Sequence, residues 1–385
     1  MMISAEHRAA QVWTYLCEGN NPLAHALIAV AGYEQALAWV REYATGSSTS
    51  QDFSKAIERS CARGGYVKRT MQAWQLRLST YQEISDTAMK RMGVSFLIPG
   101  DEHWPVALDD LAEPVLGLWV RGHVEVLNRP AIALVGSRAA SSYGQRLAWN
   151  LASDISDTHV VVSGGAFGID SQVHRGALDN SQPTIIVSAG GVDRPYPTAH
   201  TDLFNATIAS GAVLSESVIG AAPQRHRFLS RNRIIAGLGS ATVVVEAPVR
   251  SGALSTARHA IGNNRPVGAC PGSLDSPNAQ GCHLLIRNGA TLIRHSEDIR
   301  ELVSWQQLTL GRDEDIFVIP DDGYDPLRER VWEAIPITRS VHTTAIAHVA
   351  GMSERDVLAK LSLLELSGRI AREGNRWKRV PSREK

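Results

Sequence analysis

Several features common in other protein classes are scarce in this sequence. Its 385 residues include four cysteines, Cys17, Cys61, Cys270 and Cys282, with no CxxC spacing among them. Neither a disulfide framework nor a zinc site is supported, as expected of a chain that works in a reducing cytoplasm. An excess of charge is missing too, because 39 Lys and Arg balance 39 Asp and Glu. The overall basicity usual in nucleic-acid binders is therefore absent, and any such activity must rest on local patches. No apolar run approaches the roughly 20 residues of a membrane helix. The N-terminus, MMISAEHRAAQVW, carries charges where a signal peptide would have an apolar core. Motifs are missing as well. Without GxxxxGK[ST] a P-loop ATPase is excluded, and without GxGxxG a dinucleotide cofactor is unsupported. There is no GxSxG elbow and no metal-ligand spacing. We expect no cofactor, no metal and no catalytic residue.

What is present is 44% hydrophobic residues, enough for a sizeable core, in a chain long enough for two or three domains. Residues 1–85 show apolar residues at helical spacing and predict a small N-terminal helical domain of the SAM-like kind. Residues 86–129 mix short strand-like runs with Pro and Gly and read as a connecting arm packed on the next domain. From Pro130 to residue 304, AIALVGS, THVVVSGG, PTIIVSAGG, AVLSE, ATVVVEA and RPVGA alternate with helical segments. Continuous apolar strands between helices predict a doubly wound, mainly parallel α/β sheet covered on both faces. Ligands of such sheets sit beyond the carboxyl ends of the strands. An acidic linker over 305–325 leads to three helical patterns and a strand–turn–strand with Gly374-Asn375 at its turn. Residues 326–385 thus predict a winged helix.

Three strand ends look built for an anion. The first sheet strand stops at Gly136, followed by Ser137 and Arg138. Glycine lets backbone approach a ligand, the next helix offers N–H groups, and Arg138 supplies a guanidinium fork matched to phosphate. The design recurs at Ser163, Gly164 and Gly165, with Phe167 and Phe228 beside these loops, either stacking on bases or in the core. Glu246 ends a third strand, ahead of Ser251, Gly252 and Thr256 at a helix start. It fits either a general base or an acceptor for loop backbone or an arginine. Asp170 and His174, one helical turn apart, fit either an acid–base pair or a structural bond that pins loop to helix.

Between Ser217 and Val245 there is no Asp or Glu, yet Arg225, Arg227, Arg231 and Arg233 fall within ten residues, with Asn232 inside the RNR triplet. An external polyanion threading past Arg138, Arg231 and Arg233 would satisfy them. The competing reading pairs them internally with Glu216 and Glu246.

Taken together, GSR at 136–138, SGGAFGID at 163–170, YP at 196–197, SE at 215–216, RNRIIAGL at 231–238, VVVEA at 243–247 and SGALSTAR at 251–258 resemble the DNA-processing protein A (DprA/Smf) family. The resemblance covers roughly residues 94–300. It implies an extended Rossmann-like core and a cytoplasmic homodimer that binds single-stranded DNA without catalysis. It also implies that incoming DNA is protected and handed to the recombinase RecA during transformation and recombination. By motif, the family's DNA contacts fall on Gly136, Ser137 and Arg138, on Ser163, Gly164 and Gly165, and on Arg231 and Arg233. Phe167 stands where many members have a basic or polar residue, which shifts that contact from phosphate towards stacking. Single-strand-binding protein, and duplex DNA at the winged helix, are further candidate partners. Two other functions compete: a nucleotide hydrolase of the lysine-decarboxylase-like Rossmann group, and a duplex-reading winged-helix regulator.

Overall fold

The computed structural model describes residues 4–17, 21–43, 50–60, 64–308, 325–336, 339–374 and 376–380. They fall into two compact units. The larger comprises Ile84–Pro223 and the chain from Arg227 onward through the sheet domain. The smaller comprises Ser4–Glu83, Gln224–His226 and the described residues from Asp325. Most of the acidic linker and the turn residue Asn375 lie outside the described residues.

In the smaller unit, α1 (Ala5–Leu16), α2 (Pro22–Glu42), α3 (Gln51–Arg59) and α4 (Gly64–Leu78) form the expected N-terminal helical domain. Ser4, Asn21 and Ser50 each accept a backbone N–H at the start of a helix, which fixes where it begins. Contrary to the run-length expectation, α2 is long and apolar enough to cross a membrane. Half of its apolar window is buried and Gly32, at φ 73°, breaks it midway. With Leu23, Leu27 and Leu37 among its buried residues, α2 is the core helix of this bundle and does not mark a membrane protein.

The larger unit begins with α5 (Asp86–Met92), β1 (Val94–Leu97) and β2 (Leu118–Gly122). It continues through β3 (Ala131–Gly136), α6 (Ser142–Ile155), β4 (Val160–Ser163), α7 (Ile169–Asp179), β5 (Thr184–Val187), α8 (Thr201–Ser210) and β6 (Ala212–Ser215). It ends with α9 (Arg225–Leu238), β7 (Ala241–Glu246), α10 (Gly252–Gly262), β8 (Val267–Ala269), α11 (Gln280–Arg287), β9 (Thr291–Leu292) and α12 (Ser296–Leu308). The nine strands pair in the order β1-β2-β6-β5-β4-β3-β7-β8-β9. From β6 to β9 every neighbour is parallel. Alternation along β3 explains the two covered faces. Ala131, Ala133 and Val135 enter one apolar cluster, while Ile132 and Leu134 enter the other.

Two elements differ from the sequence reading. The arm is part of the sheet, because β1 and β2 pair with each other and β2 pairs with β6, all in antiparallel register. The RNR triplet, which the sequence reading assigned to no element, lies within a helix, α9. Its mixed polar and apolar pattern concealed the helix, because both its faces are covered.

The rest of the smaller unit holds α13 (Pro326–Glu333), β10 (Val341–His342), α14 (Thr343–Ala350), α15 (Glu354–Leu366), β11 (Ile370–Glu373) and β12 (Arg376–Arg379). Three helices and a sheet of order β10-β12-β11 make a winged helix around Val331, Ile346, Leu361 and Trp377.

Candidate nucleic-acid interface

Strand order reverses at β3, whose neighbours are β4 on one side and β7 on the other. The crevice beyond their carboxyl ends is where a doubly wound sheet holds ligands. Gly136 closes β3 at a register shift against β7, and Ser137 N–H donates to Glu246 O at 2.6 Å. Ser137 is buried, whereas Arg138 is exposed at the tip of the loop. The Arg138 guanidinium lies over the Phe228 ring at 4.5 Å. A guanidinium on an aromatic face keeps its edge N–H groups free for phosphate while losing little mobility on binding.

The loop after β4 interlocks with this one. Gly168 has φ 76°, and a Cβ there would collide with the Ser137 and Arg138 carbonyls, so glycine is required. Ile169 N–H donates to Ser137 O at 3.1 Å. Ser163 Oγ donates to Leu134 O at 2.7 Å, and His200 Nδ1 bonds Gly165 O at 3.0 Å. Phe167 is 49% exposed and stands edge-on to His200 at 4.7 Å. Tyr196, 44% exposed, leans on Phe228 at 5.5 Å. Phe167 and Tyr196 thus offer open aromatic surface beside Arg138. Phe228 does not, because its ring carries both Arg138 and Arg231.

The third loop is tied to α9 and α6. Ser251 caps α10, and Asn232 Nδ2 donates to Gly252 O at 3.1 Å. Thr256 is buried, its hydroxyl 3.5 Å from the same carbonyl. Glu246 is 5% exposed and accepts from Ser141 N–H at 2.8 Å and Ser141 Oγ at 2.7 Å. Its negative charge therefore meets the positive end of α6 and fixes the loop that presents Arg138.

The arginine cluster is mostly not an external anion site, which corrects the local charge count. Arg233 is 1% exposed and donates to Glu216 at 2.6 Å, with Glu113 at 3.7 Å and Pro114 O at 3.3 Å. Arg231 is also buried. It donates to Gly164 O at 2.9 Å and to Val187 O, and its guanidinium fills the space where a Gly164 side chain would be. Arg225 groups with the smaller unit and donates to Glu329 at 2.8 Å. Arg227 donates to Ala222 O at 2.5 Å. The partners are carbonyls and acids, several of them far away in sequence and invisible to a count of nearby charges. Arg138, at the tip of the first loop, and Arg250, on the third, are exposed guanidinium groups.

Asp170 and His174 do not pair with each other. Asp170 lies at 3.4 Å from Ala166 N–H, and burial raises its pKa against the pull of Arg231. Arg231 in turn is lowered to about 10 by burial, with Asp170 opposing, and stays charged at neutral pH. His174 Nδ1 bonds Thr184 Oγ1 at 2.8 Å. Burial first, then Arg231 and His200, hold His174 down at about 3. Since an unfolded histidine takes up its proton near 6.5, the unfolded state gains that proton first as pH falls. The stability of neutral His174 is complete above that value and is lost towards pH 3, at about 1.4 kcal/mol per pH unit. Urea melts between pH 7 and 4 should show this slope. His174→Gln should flatten it, leaving the shares of His259, which burial lowers to about 4, and of His159, which burial also lowers.

Sequence reasoning missed His200, Tyr196 as a neighbour of Phe228, and Ser141, none of which carries a periodicity or spacing signal. On the winged helix, Lys360 is tied to Asp325 at 2.7 Å, which leaves Arg355 as the exposed base of α15. Among the described residues, no cluster of three or more His, Cys, Asp or Glu stands ready for a metal.

Fold and loops together define a Rossmann-like protein whose crevice presents an exposed, aromatic-backed guanidinium instead of a cofactor fingerprint. Residues 95–304 match the family model for DNA recombination-mediator protein A. The chain is 34% identical over 285 residues to protein Smf of Escherichia coli, covering 71% of this chain and 75% of that one. It is 38% identical over 199 residues to the DNA processing protein DprA of Streptococcus pneumoniae, covering 52% and 71%. The solved structure of DprA from Streptococcus pneumoniae superposes with a TM-score of 0.60 at 28% identity, over 78% of this chain and 98% of that one. DNA processing protein A from Helicobacter pylori, solved for its single-stranded DNA binding mode, gives 0.50 at 28% identity, over 55% and 96%. The chain belongs to the DNA recombination-mediator protein A (DprA/Smf) family of DNA-processing proteins.

Proposed function

We propose that this chain binds single-stranded DNA at the β3, β4 and β7 loop crevice and hands it to RecA, acting as a homodimeric mediator and not as an enzyme. The observation that carries this reading is Arg138, exposed and stacked on Phe228, with the open rings of Tyr196, against Phe228, and of Phe167 on the neighbouring loops. A guanidinium among aromatic faces suits a phosphate flanked by unstacked bases, and a duplex keeps its bases stacked inside. The single-stranded DNA binding of the Helicobacter pylori relative supports the same chemistry. We further assign residues 1–85, 130–304 and 326–385 as separate domains, with 305–325 as the linker and 86–129 as an arm whose β1 and β2 extend the sheet of the middle one.

RecA's ATP hydrolysis on a long strand precoated with single-strand-binding protein tests the handover. The protein should shorten the lag before hydrolysis, and Arg138→Ala should restore it. A lag unchanged by wild-type protein would remove RecA loading from the proposal.

A further inference from the structure

Beside the loops lies a second concavity, a cleft of about 510 Å³ at the carboxyl ends of β7 and β8. Sites for small organic ligands span about 300–1,000 Å³. Tyr143, Pro271 and Ala279 line it with apolar surface, Ser141 and Ser273 add hydroxyls, and Glu246 adds a buried carboxylate. None of these residues stands among the phosphate contacts assigned to Arg138.

The chemistry of the lining narrows the occupant. Tyr143 is half exposed, and its hydroxyl donates to Pro271 O at 3.3 Å, which holds the ring beside the cleft. Glu246 accepts two bonds from Ser141, and a carboxylate has about four acceptor positions, so it can take N–H donors from a ligand. A buried carboxylate repels phosphate. The thiols of Cys270, on the lining, and Cys282, behind it, are pushed up by burial and stay neutral, offering no cation or anion site. What fits is flat, neutral, apolar on its faces and rich in N–H at one edge.

We propose that this cleft takes a nucleobase, its ring against Tyr143 and an amino or imino N–H on Glu246. The base has two sources: a strand whose phosphate sits on Arg138, or a free nucleoside. The first source rests on the single-strand reading above. It is favoured by continuity, because Ser141 follows Arg138 by three residues and Asn278 Nδ2 donates to Ala139 O at 2.9 Å. Those links join the far side of the cleft to the loop that presents the guanidinium.

The test uses the full chain with Tyr143→Ala and with Ser273→Trp, an exposed loop position whose new ring would plug the cleft. Two probes are titrated: a labelled base-bearing oligonucleotide against an abasic strand of equal length, and the free nucleosides adenosine, guanosine, cytidine and thymidine. Phe167→Ala serves as a control for stacking outside the cleft. If the base comes from the strand, wild type should prefer the base-bearing strand by about tenfold or more, the scale of one stacked base. Both variants should lose that preference and keep their affinity for the abasic strand. If the base is free, wild type should bind a nucleoside and Ser273→Trp should not. Nucleoside binding of this kind without any strand binding would uphold the cleft and remove the single-strand reading. A base preference untouched by both variants, together with no nucleoside binding to wild type, would overturn the proposal.

Discussion

Replacing Arg231 with alanine is expected to lower the unfolding free energy by about 3 kcal/mol and to weaken single-strand binding at the same time. The guanidinium is 6% exposed and donates to the carbonyls of Gly164 and Val187. Its removal strands both acceptors, each at a cost of about 1–3 kcal/mol, and takes the opposing charge away from buried Asp170. Asp170 should respond by holding its proton to higher pH, because burial then acts on it without Arg231. The weaker binding follows from the loop. Arg231 fills the space beneath Gly164, so the Ser163–Gly165 backbone loses its support when the side chain goes. Urea unfolding followed by circular dichroism measures the first effect. A midpoint equal to that of wild type would mean that Arg231 faces outward in solution and belongs to the anion site after all.

Arg138→Ala should do the reverse. Arg138 is exposed and pairs with no carboxylate among the described residues, so its removal should change stability by no more than about 0.5 kcal/mol. A hydrogen bond to a charged group contributes about 1.5–3 kcal/mol, so affinity for oligo-dT should fall by about ten- to a hundredfold. The dependence of log K on log salt should become shallower by about 0.7 for each phosphate that the variant no longer neutralises. The two arginines are thus separable. One variant is unstable and binds poorly, while the other is stable and binds poorly. If Arg138→Ala kept both affinity and salt slope, the assignment of this guanidinium to a DNA phosphate would fail.

The sheet was legible because its strands are continuous apolar runs that stop at small residues. A core strand covered on both faces cannot read otherwise. The glycine loops were legible for a related reason, since positions such as Gly168 admit no side chain. The arm was harder to read. β1 and β2 are short and interrupted by Pro and Gly, and the antiparallel pairing of β2 depends on a partner, β6, that comes far later in the chain. The arginine cluster left two readings open because charge was counted along the chain, and internal pairing with Glu216 is the one that Arg233 follows. Arg233 finds Glu216 across a turn and Glu113 from the arm, and Arg231 finds backbone carbonyls, which no composition records. Phe228 was seen as a residue beside the loops, but its role as a support for Arg138 depends on the position of α9. Asp170 and His174, adjacent on one helix face, turned to different partners because Thr184 and the Ala166 amide lie closer to them in the fold.

The most direct measurement is fluorescence anisotropy of labelled oligo-dT and of a matched duplex, each titrated with wild-type protein at two salt concentrations. An exposed guanidinium stacked on Phe228, with open aromatic rings on the neighbouring loops, predicts markedly tighter binding to the single strand, with affinity falling as salt rises. Equal affinity for the two, or single-strand binding indifferent to salt, would contradict the assignment of this crevice to a single-stranded phosphate backbone.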